Sequence, residues 1–409
     1  RLALHDGQFV NMLSNISTND IESVQVLKNA TALYGARGAN GVILITTKRG
    51  HSQATRIDAN IYAGVTLKPS LPTMMNAYQY RNYATELLGT MKEIQERKTP
   101  IEFNFLNDDP SNFYYYTYHN DVNWKDYVYR DAITQNYSVN VQGGDDVGMY
   151  NLSIGYMDAK STAKKNGFDR MNVRFNTDIK ILWNLSTRFD IAISRTNNYV
   201  YDDGMPADFS AGTVSSLTAL GLLKSPLVAP YQYNAIVKGF TSLLSGYDNI
   251  LSCSEYPRSG LVYKDDNLGT TYSSQSLANP VAILDNGTGD NKNKAENTYF
   301  IVHVRPEYQM TDDWKLMFDL NYTLNRNAQR YYRPYNGVPS FAKDEMGTVS
   351  AMVASMFAKE QNFAGRVQVD WNKLLGEHTL HAFLGGRYNH FSFDNSDLNT
   401  EYQSTVDDK

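Results

Sequence analysis

The feature that most constrains this chain is an alternation of apolar and polar residues that continues for nine or more residues at a time. Between positions 316 and 325, the even positions hold Leu, Phe, Leu, Tyr and Leu, and the odd positions from 319 onward hold Asp, Asn, Thr and Asn. Such runs give a strand one apolar and one polar face, and they exceed the usual strand length of a soluble sheet. The pattern predicts nine strands, over residues 55–65, 135–143, 147–158, 168–181, 183–198, 297–309, 313–326, 362–372 and 377–393.

The connections between these strands alternate between tight and expanded. The tight connections are residues 144–146, residue 182, residues 310–312 and the few residues around 375, and the expanded ones are 66–134, 159–167, 199–296 and 327–361. An outer-membrane barrel has short periplasmic turns at one end and longer loops at the other. A soluble sandwich also alternates apolar and polar residues, but it has no physical reason for this strict rhythm. We therefore predict an all-β, antiparallel transmembrane barrel.

Composition excludes some classes and leaves others open. The mean hydropathy is −0.47, and no run approaches the roughly 18 apolar residues of a membrane helix. A net charge of −5 gives no indication of nucleic-acid binding. Thirty tyrosines and seventeen phenylalanines suit aromatic girdles at membrane interfaces or carbohydrate-facing loops. The lone cysteine, Cys253, excludes an internal disulfide.

Nine strands do not close a barrel of this kind. An open edge in hydrocarbon leaves unpaired N–H and C=O groups that each cost several kcal/mol. With as many residues per strand as these nine strands have on average, a 22-stranded barrel needs roughly 800 residues. The chain has 409. We expect the remaining strands to come from missing residues or from a second chain, and we expect Arg1 and Lys409 to be cut edges.

A glycine-rich stretch precedes the first predicted barrel strand. Gly35, Gly38 and Gly41 are spaced three residues apart, which matches neither a dinucleotide fingerprint nor a P-loop. The β-branched run that follows, residues 42–47, indicates a strand and not a helix N-terminus. We interpret the glycines as structural, permitting positive φ or close packing.

The residues around this stretch resemble a known family. The segments Asp20–Ala30 and Leu33–Lys48 closely resemble the end of the plug domain of TonB-dependent outer-membrane transporters, in the SusC-like version found in Bacteroidota. The segments Ala63–Thr66 and Met75–Tyr80 are similar to the region just after the plug in that branch. The specific motifs cover about residues 20–90. The plug motif residues are Asp20, Glu22, Tyr34, Gly35, Arg37, Gly38, Asn40 and Gly41.

This resemblance implies an architecture and an activity. Residues 1–50 would be the C-terminal part of an α/β plug domain, and residues 51–409 the N-terminal part of a 22-stranded barrel with long extracellular loops at about 66–134, 199–296 and 327–361. The implied activity is TonB-driven import of an oligosaccharide or a short peptide across the outer membrane, without a cofactor. The implied partners are outer-membrane lipid, a SusD-like surface lipoprotein and TonB, whose contact would lie outside this chain.

Arg37 is a candidate anchor between plug and wall. The carboxylates Asp319, Glu307 and Asp370 lie on polar strand faces, where they could pair with it. The alternative is a solvated arginine in a wet lumen.

Two features of the first long loop are candidate contacts. Residues 76–98 carry a helical pattern, for a helix that packs locally or contacts a partner. Tyr114, Tyr115, Tyr116 and Tyr118 could contact substrate or lipoprotein, because aromatic rings stack on sugars and on peptide side chains. The alternative for these tyrosines is the aromatic belt at the membrane interface.

We identify no catalytic or metal-binding residues. His378 and His381 are an odd number of positions apart on a predicted strand and therefore lie on opposite faces, and no Ser/His/Asp order or buried acid pair stands out. Three rival functions remain: a passive porin-like channel, a secreted glycan-binding or glycan-cleaving β protein, and a soluble adhesion scaffold.

Overall fold

A computed structural model describes residues 12–90, 105–112, 115–200, 213–214, 217–231, 233–234, 239–240, 276–277, 279–286, 293–333, 341–343, 347–349, 352–376 and 378–401. In these ranges no helix has the length and apolar character needed to cross a bilayer.

The described part of the chain consists mostly of strands. They are β1 (Ile21–Leu27), β2 (Val42–Thr47), β3 (Gln53–Thr66), β4 (Ala132–Gly144), β5 (Gly148–Lys160), β6 (Gly167–Leu182), β7 (Leu185–Tyr199), β8 (Thr213–Val214), β9 (Tyr233–Asn234), β10 (Gly239–Phe240), β11 (Ser276–Leu277), β12 (Lys294–Gln309), β13 (Trp314–Arg333), β14 (Phe341–Lys343), β15 (Gly347–Val349), β16 (Met352–Leu375) and β17 (His378–Glu401).

Among the described residues, the helices are short apart from one. They are α1 (Thr31–Tyr34), α2 (Ala77–Thr90), α3 (Tyr115–Tyr118), α4 (Trp124–Val128), α5 (Leu217–Leu223) and α6 (Pro280–Asn286), with 3-10 turns at Met12–Asn15, Thr18–Asp20 and Gly35–Gly38.

The nine long strands form one antiparallel sheet. Its order is β17-β16-β13-β12-β7-β6-β5-β4-β3, so the long strands are neighbours in the order in which the chain visits them. Each of the nine overlaps a strand predicted from the sequence, and β13, β16 and β17 extend seven to ten residues beyond the predicted bounds. Within the described residues, β3 and β17 form the two edges of the sheet, which is not closed on itself.

The connections keep the predicted rhythm. Tight turns at 145–147, 183–184, 310–313 and 376–377 alternate with expanded connections at 67–131, 161–166, 200–293 and 334–351. The last expanded connection is shorter than predicted, because β13 and β16 stay paired as far as Arg333 and Met352. The alternation of residue types ends at the charged residues that follow Leu324, whereas the backbone pairing continues past them.

The polarity of the sheet is the reverse of a soluble fold. The inner face, against which residues 12–50 lie, buries polar side chains such as Thr196 and Asn297, both 0% exposed. The outer face exposes large apolar side chains, including Phe318, Leu320 and Leu384, the last 80% exposed. Exposure of so much apolar surface requires an apolar environment, and the lipid bilayer supplies it for a barrel wall.

In the part of the chain that the structure describes, the two clusters of buried apolar side chains lie in the expanded connections. One cluster joins the expanded connection 67–131 to the expanded connection 200–293. Its members are Val128, Tyr129, Leu217, Leu220, Ile283 and Leu284. The other contains Leu88, Phe105, Tyr118, Leu227, Val228 and Ala229. The two connections also share hydrogen bonds, such as Trp124 Nε1 to the Ser225 carbonyl at 2.8 Å. They therefore form one packed unit at the expanded end of the sheet.

Candidate functional site

The N-terminal segment, residues 12–50, contacts the inner face of the sheet through polar groups. Strands β1 and β2 form an antiparallel hairpin that is separate from the long sheet. Asp20, just before β1, is 3% exposed. Its carboxylate accepts a hydrogen bond from the Ser153 hydroxyl and a 3.4 Å hydrogen bond from Asn172 Nδ2, and it lies 3.7 Å from Arg174 Nε. A buried carboxylate with partners on two wall strands, β5 and β6, fixes this end of the segment.

Arg49, just after β2, is a second anchor. Its guanidinium donates to both oxygens of Asp178 at 3.1 Å, and to Asp190 Oδ1 at 2.6 Å. Burial lowers the pKa of Arg49, but the hydrogen bonds and attraction of the two carboxylates raise it above its ordinary value overall. The two anchors are close along the hairpin, since Lys48 N donates to the Asp20 carbonyl at 2.9 Å.

The charge network continues along the wall. His303 lies between Asp190, at 2.9 Å from Nδ1, and Asp319, at 3.0 Å from Nε2. Arg366 Nη2 is 3.6 Å from Asp319. A chain of alternating basic and acidic side chains therefore runs from Arg49 across the sheet.

The expected partners of Arg37 are already paired with wall residues. Asp319 binds His303, Glu307 is 2.9 Å from Arg305, and Asp370 accepts from Gln368 at 2.6 Å. The side chain of Arg37 is outside the described part of the structure, as is that of Tyr34. Within the described residues the basic anchor is Arg49, which sequence reasoning missed, and the Arg37 anchor stays a prediction. The signal was present, because the basic end of the motif and two carboxylates on predicted polar faces are all visible in the sequence.

The glycine stretch forms the turn of the β1–β2 hairpin. Gly35 and Gly41 have φ values of +61° and +89°, a region that favours glycine. A Cβ on Gly38 would lie 2.7 Å from the carbonyl oxygen of Ala30. The next element is the strand Val42–Thr47, so the geometry agrees with a structural turn and not with a phosphate-binding loop.

The four candidate tyrosines have different surroundings. Tyr114 is outside the described residues. Tyr115 stacks on His119 with ring centroids 3.9 Å apart, and Tyr118 is 7% exposed in the second apolar cluster. Tyr116 remains exposed. We propose that Tyr118 stabilises the loop unit, and we retain a contact role for Tyr116.

Helix α2 has one face packed and one face free to make contacts. Its residues Ala77, Tyr80, Ala84 and Leu88 pack in the second cluster, while Tyr78 (73% exposed), Tyr83 and Leu87 point away from it. The start at Ala77 agrees with the predicted helix, and residues 91–98 of that prediction lie outside the described ranges. Beside the helix is a cavity of about 570 Å³, lined by residues that include Met75, Tyr80, Tyr83, Trp124 and Lys224.

Comparison with known proteins identifies relatives but no matching family profile. Over 196 residues, which are 47% of the chain, the sequence is 34% identical to TonB-dependent receptor P26 of Formosa agariphila, and it covers 18% of that protein. Over 393 residues, 93% of the chain, it is 25% identical to TonB-dependent receptor SusC of Bacteroides thetaiotaomicron, and it covers 33% of that protein. The chain thus spans a third or less of the curated relatives it matches.

A solved structure shares the fold. The RagAB peptide importer in its closed-closed state aligns with 96% of this chain and 41% of its own, with a TM-score of 0.57 and 19% identity. These comparisons confirm that the chain is related to the SusC-like TonB-dependent receptors, and with that relationship they confirm its β-barrel fold class and its outer-membrane location.

Proposed function

We propose that this chain contributes the end of a plug and nine wall strands to a transporter that imports a nutrient across the outer membrane with energy from TonB. In this proposal residues 12–50 belong to the plug and the nine-stranded sheet to the barrel wall. Import then consists of binding at the expanded loops followed by a movement of the plug, without covalent chemistry. The remaining wall strands come from residues outside this chain or from a second chain.

The observation that carries the proposal is a polar interface. It joins the N-terminal segment to a sheet whose inner face is polar and whose outer face is apolar. An apolar outer face suits lipid, and a polar inner face suits water or a polar plug. Asp20 and Arg49 connect the segment to this face by charge-assisted hydrogen bonds. Such bonds exchange readily with water when a segment moves, whereas a large apolar interface would resist separation. A passive porin has no need of an occluding segment held in this way.

The relatives and the loops support a proposal for the substrate class and for the partner. RagAB is a peptide importer, which supports a short peptide as the substrate, and the resemblance of residues 20–90 to the SusC-like branch leads us to propose an oligosaccharide as the other candidate. The exposed side chains of α2 and Tyr116 lie on the loop unit and provide an aromatic surface for substrate or for a SusD-like lipoprotein.

A reversible crosslink between segment and wall tests the plug movement. Asn19 Nδ2 and Ser138 Oγ are 2.7 Å apart, so we would place cysteines at both positions after replacing Cys253 with serine. The oxidised protein should bind nutrient at the cell surface but fail to import it, and reduction should restore import. Radiolabelled nutrient uptake by whole cells, with surface binding measured in parallel, gives both readouts.

The matched control is a crosslink within the wall. Asn325 and Glu360 are opposite each other on β13 and β16, with 3.0 Å between Asn325 Nδ2 and Glu360 Oε2. Cysteines there should leave import intact in both redox states. Undiminished import by the oxidised Asn19–Ser138 protein would refute plug movement, and import that is independent of TonB would favour a passive channel.

A further inference from the structure

A group of cationic side chains lies on the outer face of the sheet, at the end that carries the expanded connections. We call Lys294, Arg326, Arg330 and Lys359 the basic cluster. All four belong to β12, β13 and β16, and their strand positions place them on the same face as the exposed apolar residues Phe318 and Leu320. The N-terminal segment contacts the opposite face, so these cations are not part of the interface described above.

The register of the strands brings like charges directly opposite each other. Lys294 pairs with Arg330 across β12 and β13, and Arg326 pairs with Lys359 across β13 and β16. Like charges in opposite positions of a sheet destabilise it. The two pairs are four residues apart along β13, so an anion bound between them would reduce the repulsion in both.

The carboxylates nearby offset this charge only in part. Glu296 accepts from Arg195 at 2.8 Å and from Lys294 at 3.3 Å, so one carboxylate serves two cations. Asp394 lies opposite Lys359 on β17, and the more distant Asp169 accepts from Asn197 on β7. Arg326 and Arg330 are exposed, and the ion pairs of Glu296 among the described residues are with Arg195 and Lys294 and not with either of them.

The cluster has the shape of a shallow site. Lys294, Glu296, Arg326, Ala328 and Arg330 surround a cavity of about 190 Å³. The Arg326 guanidinium lies 4.9 Å from the ring centroid of Phe357, and Lys294 Nζ lies 5.9 Å from that of Tyr199. Aromatic contacts of this kind orient the cations without neutralising them.

The height of the cluster along the strands is the decisive observation. On the outer face of β13 the apolar series runs through Leu320, Tyr322 and Leu324, and Arg326 is the next residue on that face. Arg326, Thr298 and Arg195 are directly in register, and on β7 Arg195 follows Ile193. The cations thus form a row at the end of the apolar band nearest the expanded connections, at the depth where lipid headgroups begin. Charges cost little at this depth, and long cationic side chains extend readily toward phosphates.

We propose that the basic cluster binds the phosphate of a glycolipid headgroup in the outer leaflet of the outer membrane. Arginine pairs well with phosphate oxygens, and juxtaposed cations at a membrane surface attract anionic headgroups. The glycolipid would replace the missing counter-charge and hold the wall at a fixed depth. This inference rests on the proposed orientation, with the expanded connections outside the cell.

The test uses the intact protein purified from outer membranes in a neutral detergent. Diphosphoryl lipid A, the same lipid A after dephosphorylation, and inorganic phosphate are added separately, and bound lipid is counted by native mass spectrometry. Wild type should bind the phosphorylated lipid in preference to the dephosphorylated one. Arg326→Gln together with Arg330→Gln should weaken binding of the phosphorylated lipid by about tenfold or more, without changing nutrient import.

A matched pair on one strand controls for general charge effects. Lys359 and Lys373 both face outward on β16, at opposite ends of the apolar band. Lys359→Gln should weaken lipid binding severalfold, and Lys373→Gln should leave it unchanged. Equal loss in both variants, equal binding of phosphorylated and dephosphorylated lipid, or full displacement by millimolar phosphate would each overturn the glycolipid site. A protein that stays soluble without detergent would instead refute the membrane barrel itself, whatever its lipid binding.

Discussion

At the residue scale, Asp20 and Arg49 hold the two ends of one hairpin against the wall with opposite charges. Asp20 precedes β1 and Arg49 follows β2, and antiparallel pairing of Ile21 with Thr47 brings those ends together. The wall presents complementary partners, with Arg174 facing Asp20, and Asp178 and Asp190 facing Arg49. Because the two charges differ in sign, the hairpin fits the wall in one orientation only.

The buried carboxylate of Asp20 should be sensitive to a nearly isosteric change. Asp20→Asn removes the charge that compensates Arg174 and places an amide donor where Ser153 and Asn172 already donate. We expect the attachment of the segment to lose about 3 kcal/mol of stability. The measurement is the urea concentration at which a protease cleaves within residues 12–50, which should be lower in the variant. Glu22→Gln, two positions away and exposed, is the control and should change nothing. Equal protease resistance of both variants would contradict the anchor.

Arg49 should matter more than a neighbouring arginine on the wall. Arg49→Gln leaves Asp178 and Asp190 close together without their shared cation, at sites only 20–25% exposed. We expect a loss of about 2 kcal/mol from the attachment of the segment. Arg188 also contacts Asp178, at 3.0 Å, but its side chain is 44% exposed, so Arg188→Gln should have a much smaller effect in the same protease assay. The reverse order of the two effects would be inconsistent with Arg49 as the anchor.

At the element scale, the β1–β2 turn depends on backbone conformation and close approach. Alanine at Gly38 would bring its Cβ to 2.7 Å from a backbone oxygen, and alanine at Gly41 would be held at a φ of +89°. Each should cost about 2 kcal/mol. Gly89 in α2 has open space where a Cβ would lie, so Gly89→Ala should stabilise its helix by roughly 0.5–1 kcal/mol. Urea denaturation monitored by protease cleavage at each element distinguishes the destabilising substitutions from the stabilising one.

Helix α2 offers a second test at this scale. Tyr78→Ala with Tyr83→Ala removes exposed aromatic surface without disturbing the packed face, so it should reduce co-purification of the proposed lipoprotein about tenfold. Asn82→Ala with Glu86→Ala changes two exposed polar residues of the same helix and should leave the complex intact. If both double variants retain the partner equally, α2 is not the contact.

At the scale of the whole molecule, the inverted polarity predicts two environments on one strand. Phe318 and Asp319 are adjacent but face opposite sides of β13. In a Cys253→Ser background, an environment-sensitive fluorophore at position 318 should report lipid and should be quenched by lipid-borne quenchers. The same label at 319 should respond only to aqueous quenchers. Identical responses from the two positions would exclude a membrane wall.

Much of the wall was predictable because its determinants are local. Side chains alternate along any extended strand, so a face of Leu, Phe and Tyr at 316–324 identifies both the strand and its exposed side. The tight connections were predictable as well, because the residues that favour a turn stand within the turn itself. The ends of β13 and β16 were less visible, because beyond Leu324 the outer face leaves the apolar band and the residue alternation disappears while backbone pairing continues.

The sequence by itself therefore determined the nine strands, their two faces, the rhythm of their connections and the glycine turn. Only the tertiary structure decided which carboxylates receive Arg49, at separations of 129 and 141 residues along the chain. It also decided that Tyr118 is buried and that Lys294 faces Arg330. Periodicity is a property of neighbouring residues and can be read directly, whereas distant pairing depends on strand register and on how a hairpin docks, which no local pattern encodes.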